Sequence, residues 1–435
     1  MNQLQLFLPC AAGVEDFLAE EVHGFTGLQG EDLRVMRGGV QVRASWRDAM
    51  LLNLHSRLAQ RVLVQLSHTQ YRNENDLYEA AGAVAWEIWF TTKQTFKIEV
   101  TAQHSPLTSL NFAALKIKDA IADRFRNKRG ERPDVNTQWP DVRVYAHLTT
   151  DTATLYIDTS GEPLFKRGWR EDKGEAPLKE TLAAAMIAAS GWDATVPLYD
   201  PCCGSGTIAI EAAQIACNIA PGSIRRFAFE KMLPFQSHVW SALKDEARSA
   251  QVQSAVPVFG SDVAFRMVDF ATRNAERAGV QDVVQLRGGD ALQRMPPSEL
   301  PGVMLLNPPY GERIEAAGIA GAGRGLRGAE RGAARAGQGR EEAQTEDGGE
   351  FFSQLATHWK KNYSGWTAWV LTPDLKLPTR MRLKESRRVP MWNGPIECRL
   401  FKFDMIKGSA RAKPAGRQDE PGSDAGSGQH LSSRT

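Results

Sequence analysis

No stretch of this 435-residue chain has an apolar run near the roughly 20 residues that a bilayer-spanning helix needs. The opening MNQLQLFLPC lacks the basic start and long apolar core of a secretory leader. Cysteine is scarce: Cys10, Cys202, Cys203, Cys217 and Cys398 are the five, with no CxxC and no Cys/His zinc spacing. The adjacent pair is poorly placed to bridge itself, so a disulfide scaffold is excluded and a reducing cytoplasm is expected. The histidines show no ligand spacing, and no metal is expected. Charge of one sign is missing too. Lys and Arg total 53 against 51 Asp and Glu, a net +2, so any surface for a polyanion must be a local patch. What remains is an ordinary globular composition, 42% hydrophobic and 24% charged. The length calls for two or three domains.

Strand-like and helix-like segments alternate from the start. LQLFLP and GVQVRA have the period of strands, GVEDFLAEEVHGF and WRDAMLLNLHS that of helices, and RVLVQLSH is again a strand. This predicts a β-α-β-β-α-β unit of the ferredoxin-like kind over residues 1–68. A second small α/β unit is expected over 69–160, with strands TFKIEVTA and ATLYIDTS and the amphipathic helix LNFAALKIKDAIADRFRNK. Residues 161–177 read as a connector. Residues 178–406 alternate strands and helices over a length suited to a doubly wound sheet. Within them, 315–350 is an Ala/Gly/Arg/Glu-rich low-complexity insertion, and 407–435 reads as a disordered polar tail.

VPLYDPCCGSGTIAIEAAQIA carries the first chemical signal. A short buried strand ends at Asp200. Gly204 and Gly206 let the backbone turn and approach a ligand, and a helix follows. The third glycine of a dinucleotide fingerprint is absent, as is the Gly-Lys-Ser/Thr of a phosphate loop. A nucleoside cofactor without that phosphate pattern fits better than a mere connecting turn. The next strands end near Asp262, placed to accept from ribose hydroxyls, and Asp290, placed to accept from an adenine amine. The fourth runs into Asn307-Pro308-Pro309-Tyr310. Two prolines fix the loop and its carbonyls. The Asn307 side-chain oxygen and the Pro308 carbonyl can each accept one N–H of an exocyclic amine, while Tyr310 offers a face to the base. A structural Asn-Pro turn is the plain alternative.

DPCCGSGT and NPPYGERI resemble motifs I and IV of Rossmann-type, S-adenosylmethionine-dependent amino-methyltransferases. DTSGEPLFKRGWR, EAPLKETLAAAM and CNIAPGSIRRFAFEKM are similar to segments of the THUMP-containing guanine-N2 RNA methyltransferases, in particular the bacterial kind acting on 23S ribosomal RNA. The resemblance covers residues 1 to 406 outside the low-complexity tract. It implies an α/β architecture: ferredoxin-like and THUMP modules, then a Rossmann-type catalytic domain. It also implies S-adenosylmethionine as cofactor, held by Asp200, Cys202, Gly204, Gly206, Thr207, Asp262, Asp290 and Ala291. Asn307, Pro308, Pro309 and Tyr310 would be catalytic. Asparagine is no general base. Its role would be to direct the amine lone pair towards the methyl group, with the proton leaving late. Some relatives carry a second catalytic domain, so one methylation is expected here rather than two.

The RNA side rests on charge. Between Asn111 and Arg132 seven Lys/Arg face three acids. Lys116, Lys118, Arg126 and Lys128 there, with Lys166, Arg167 and Arg170 around Trp169, are expected to meet phosphate and stack on a base. A solvated helix face is the alternative. NPPY is shared with adenine-N6 and glutamine-N5 methyltransferases. Adenine N6 in RNA or DNA, a tRNA substrate, a glutamine side chain and a non-catalytic RNA-binding role therefore stay open.

Overall fold

The computed structural model describes residues 3–174, 177–308 and 348–406. Pro309, Tyr310, nearly all of the Ala/Gly/Arg tract and the C-terminal tail lie outside them. The first half runs β1 (Leu4–Pro9), α1 (Glu15–Thr26), β2 (Leu33–Met36), β3 (Gly39–Ala44), α2 (Trp46–His55) and β4 (Leu63–Gln70). It continues with α3 (Glu74–Ala83), β5 (Phe96–Ala102), α4 (Leu110–Arg129), β6 (Val142–Leu148) and β7 (Thr152–Asp158). Local chemistry sets the helix ends. Ser45 with Asp48 and Asn73 with Asp76 form reciprocal capping boxes at the starts of α2 and α3. Helix α4 starts on the Ser109 hydroxyl and stops at Gly130, whose φ of +78° suits a residue without Cβ. Its buried side chains, Ala113, Ile117, Ala120, Ile121 and Phe125, recur every three or four residues along one face.

The expected β-α-β-β-α-β order is present, including the short β2, which the pattern alone did not mark. The two N-terminal units are not separate sheets, however. All seven strands form one sheet in the order β2-β3-β1-β4-β7-β6-β5. Strand β4 pairs with β1 on one side (Leu6↔Val64, Phe7↔Leu63) and with β7 on the other, from Leu63↔Asp158 to Gln70↔Thr152. A boundary at residue 68 would fall inside β4.

The second half has α5 (Glu180–Ser190), β8 (Leu198–Asp200), α6 (Thr207–Ala216), α7 (Ser237–Ser249), β9 (Val258–Asp262), α8 (Phe265–Arg277), β10 (Val284–Gly288) and β11 (Val303–Leu306). After residue 348 come α9 (Gly348–Asn362), β12 (Thr367–Thr372), α10 (Leu377–Met381), β13 (Arg387–Asn393) and β14 (Ile396–Asp404). Their sheet order is β10-β9-β8-β11-β12-β14-β13. The five strands from β10 to β12 are parallel, and β14 runs antiparallel to β12 and β13. Strands buried on both faces read as unbroken apolar runs, as in Met304, Leu305 and Leu306 of β11. Sequence moves outward from β8 in one direction through β9 and β10, and in the other through β11 and β12. The strand order therefore reverses between β8 and β11, where doubly wound sheets open a crevice at the C-terminal strand ends.

Candidate active site

Both quoted motifs leave neighbouring strands at that reversal. Leu198 pairs with Val303 and Tyr199 with Met304, so the turn after Asp200 and the loop after Leu306 emerge side by side. Gly204 (φ +51°) and Gly206 (φ +89°) adopt left-handed backbone. A Cβ on Gly206 would come within 3.0 Å of the Ala271 side chain on α8, so the turn packs as closely as it does only because that position is glycine. Gly204 is half-buried, and a Cβ there would meet only the Met267 methyl at 3.9 Å, an ordinary contact.

The strand-end acids brace this turn. Asp262 accepts from the Gly204 amide (2.9 Å) and the Ala264 amide (2.9 Å). Asp290 accepts from the Leu292 amide (2.9 Å), ahead of buried Ala291. Asp262 and Gly288 are register partners across β9 and β10, so Asp290 lies two residues beyond the partner of Asp262. Asp200 is 1% exposed and accepts from the Cys202 amide (3.1 Å). Burial, with Asp262 nearby, pushes its carboxyl up to about 8. Burial also pushes up the thiols of Cys202 and Cys203, so neither is a ready nucleophile. Thr207 is buried at the start of α6.

Beyond β11, Pro308 is buried and Asn307 half-buried. Among the described residues the Asn307 Oδ1 atom is buried without a hydrogen-bond partner. A buried acceptor left unpaired costs on the order of 1–3 kcal/mol, so it marks a place where a donor belongs.

One residue here escaped the sequence reading. Phe265, to which no role was given, opens α8 and is 76% exposed. Its ring edge lies where a Cβ on Gly288 would sit, at 2.4 Å, so it shares the Asp262–Asp290 corner. An aromatic three residues after a strand-end acid was the available signal.

The connector overturns part of the RNA expectation. Trp169 is fully buried and offers no face to a base. Arg167, 1% exposed, donates to Glu211 Oε1 (3.0 Å), the Leu164 carbonyl (2.8 Å) and the Arg57 carbonyl (2.8 Å). Arg57 reaches the other oxygen of Glu211 (3.0 Å), so a carboxylate on α6 is gripped from the connector and the N-terminal half at once. Burial alone would raise the Glu211 carboxyl, but the two guanidiniums outweigh it and hold it below its ordinary range. Arg170 donates to Glu180 (2.8 Å), the Leu178 carbonyl (3.1 Å), Ser205 Oγ (3.0 Å) and Thr207 Oγ1 (2.7 Å). It therefore pins both flanks of Gly206 instead of facing phosphate. Lys166 alone of this group is exposed, paired with Glu162. On α4, Arg126 and Lys128 are exposed, the former paired with Asp123. Lys116 lies over the Phe112 ring, and Lys118 pairs with Asp119.

Three family models match in sequence: an RlmL ferredoxin-like domain over residues 5–63, a THUMP domain over 71–158, and an RMKL-like methyltransferase domain over 167–321. The chain is 37% identical over 406 residues to a ribosomal RNA large subunit methyltransferase K/L of Psychromonas ingrahamii, covering 92% of this chain and 50% of that protein. It thus spans about half the length of the curated relatives it matches. Among solved structures, SMU.472, described as a methyltransferase and crystallised with SAH, superposes with a TM-score of 0.79 at 27% identity, covering 95% of this chain and all of that one. A protein from Listeria monocytogenes, described as a predicted N6-adenine-specific DNA methylase, gives 0.77 at 28% identity, covering 93% of this chain and 96% of that one.

Proposed function

As a member of the THUMP-containing RNA methyltransferase family with an RMKL-like catalytic domain, this chain, we propose, methylates N2 of a guanine in 23S ribosomal RNA with S-adenosylmethionine as donor. The observation that carries this reading is the orphaned Asn307 Oδ1 beside the glycine turn. The residues fit the cofactor: a glycine turn with a half-buried Gly204, and half-buried acids at the ends of two adjacent strands. Gly204, Gly206 and Thr207 would line its approach, with Asp200, Cys202 and Ala291 around them. Asp262 would serve the ribose and Asp290 the base amine, with the ring of Phe265 at the same corner. When bound, S-adenosylmethionine supplies an electrophilic methyl group.

The chain's own task is then orientation. Asn307 and the Pro308 carbonyl hold the two N–H bonds of the guanine amine and turn its lone pair outward. Pro309 stiffens the loop and Tyr310 covers the extruded base. The amine becomes acidic only as it is methylated, so its proton leaves late and no dedicated base is required. The N-terminal units grip structured RNA and would hold the target guanine over the crevice.

The test is transfer of labelled methyl groups to unmodified 23S RNA, followed by nucleoside mass spectrometry. N2-methylguanosine is expected. Adenine N6 is the second reading, favoured by the likeness to the Listeria protein, and N6-methyladenosine would establish it instead. Asn307→Ala should bind S-adenosylhomocysteine as wild type does by calorimetry yet lose about 100-fold or more in turnover. Unchanged turnover would remove Asn307 from the mechanism.

A further inference from the structure

Trp139 lies at the tip of the segment joining α4 to β6 and is 73% exposed. The segment is sewn down on both sides of it. The Asp134 carbonyl accepts from the Phe96 amide (3.0 Å), and the Asn136 amide donates to the Phe96 carbonyl (3.1 Å). On the far side, the Asp141 amide donates to the Thr95 carbonyl (3.0 Å), and Asp141 Oδ2 accepts from the Thr95 amide (2.9 Å). Only residues 137–140 project, and the Asn136 side chain accepts from the Gln138 and Trp139 amides (3.0 and 2.9 Å). Asp141 also pairs with Lys231 of the catalytic half, so the tip stands at the seam between the two halves. A large apolar ring held in water on a rigid backbone needs little ordering before it binds a flat partner.

Charge identifies that partner. Arg126, Lys128, Arg129 and Arg132 are exposed on the run into this segment, against Glu131 and Asp134. An exposed indole on the segment that follows this basic run suits a strand of bases and phosphates better than the charge-poor centre of a protein interface. We propose that Trp139 is a stacking platform for an unpaired base of the RNA substrate, placed by the seam so that one strand is held by both halves. This rests on the RNA-methyltransferase reading above. It moves the aromatic contact from buried Trp169 to a residue that neither the resemblance nor the charge pattern singled out.

The experiment measures binding of wild type, Trp139→Ala and Trp139→Phe to a 23S transcript, a single-stranded oligouridylate and an RNA duplex, over a range of salt. Trp139→Ala should bind the transcript and the single strand about tenfold or more weakly, with little change on duplex. Trp139→Phe should stay near wild type. Because stacking releases no counterions, the salt slope should not move, and S-adenosylhomocysteine affinity should be unchanged. An alanine variant within twofold of wild type on the single strand overturns the inference. So does one that binds RNA normally but fails on precursor large-subunit particles, which would make the partner a protein. Wild-type protein that binds no RNA overturns the parent reading and this inference together.

Discussion

Two cation-rich segments look alike in sequence and end up opposite in the fold. The end of α4 and the connector both mix arginine, lysine and aromatics. On α4, Arg126 and Lys128 stand in solvent, whereas in the connector Arg167 and Trp169 are buried. The difference lies in distant carboxylates and carbonyls. Glu211 meets Arg167, and Glu180 meets Arg170. Arg225 adds a further clamp, donating to the carbonyls of Ser160, Glu162, Pro163 and Lys166. A basic segment that meets buried carboxylates and carbonyls from elsewhere in the fold becomes an internal fastener, and one whose acids lie beside it at the surface, as Asp123 does beside Arg126, stays available to a ligand.

Substitutions should sharpen this contrast. The largest effect is expected from Arg167→Ala, which leaves half of Glu211 unpaired in the interior and should cost about 3 kcal/mol or more in denaturant unfolding. If stability is unchanged and RNA affinity collapses instead, the connector is a binding surface after all.

Asp200 is the counter-case, a buried carboxyl with no cation against it among the described residues. Its carboxyl is raised from 3.8 to about 8, so the folded protein holds a proton that the unfolded chain gives up. Stability from this group is complete below pH 4 and is lost as pH rises towards 8. Asp200→Asn should therefore melt several degrees above wild type at pH 8 and match it near pH 4. Equal melting at both would show that the carboxyl is ionised in the fold.

The smallest effect belongs to α4. Lys128→Ala with Arg129→Ala should leave the melting temperature alone and lower the salt slope of RNA binding by up to about 2. An unchanged slope would place the phosphate path elsewhere.

Much of this was legible because it is local. Alternation and turn residues marked β1, α1, β3, α2 and β8, and four strand ends marked Gly204, Asp262, Asp290 and Asn307. What was not legible depends on partners far along the chain. Strand β4 reads as the last strand of a first unit, but its pairing with β7 some 90 residues on makes it the middle of a sheet. Trp169 stands beside Arg167 and Arg170, and Trp139 lies beyond the basic end of α4, yet it is tertiary packing that covers the first and leaves the second in water. Phe265 was missed because it lies past the strand end at Asp262, and only the fold brings its ring to the Gly288 corner.

The shared ladder through β4 has a geometric consequence. The ferredoxin-like and THUMP units cannot pivot about each other without breaking the β1–β4 or β4–β7 pairs. Strands are spaced at about 4.8 Å, so seven of them make a plate about 30 Å across. On the proposed function such a plate would act as a caliper: a substrate would have to present its contact points at one fixed separation, and a base of the right identity at the wrong distance would go unmodified.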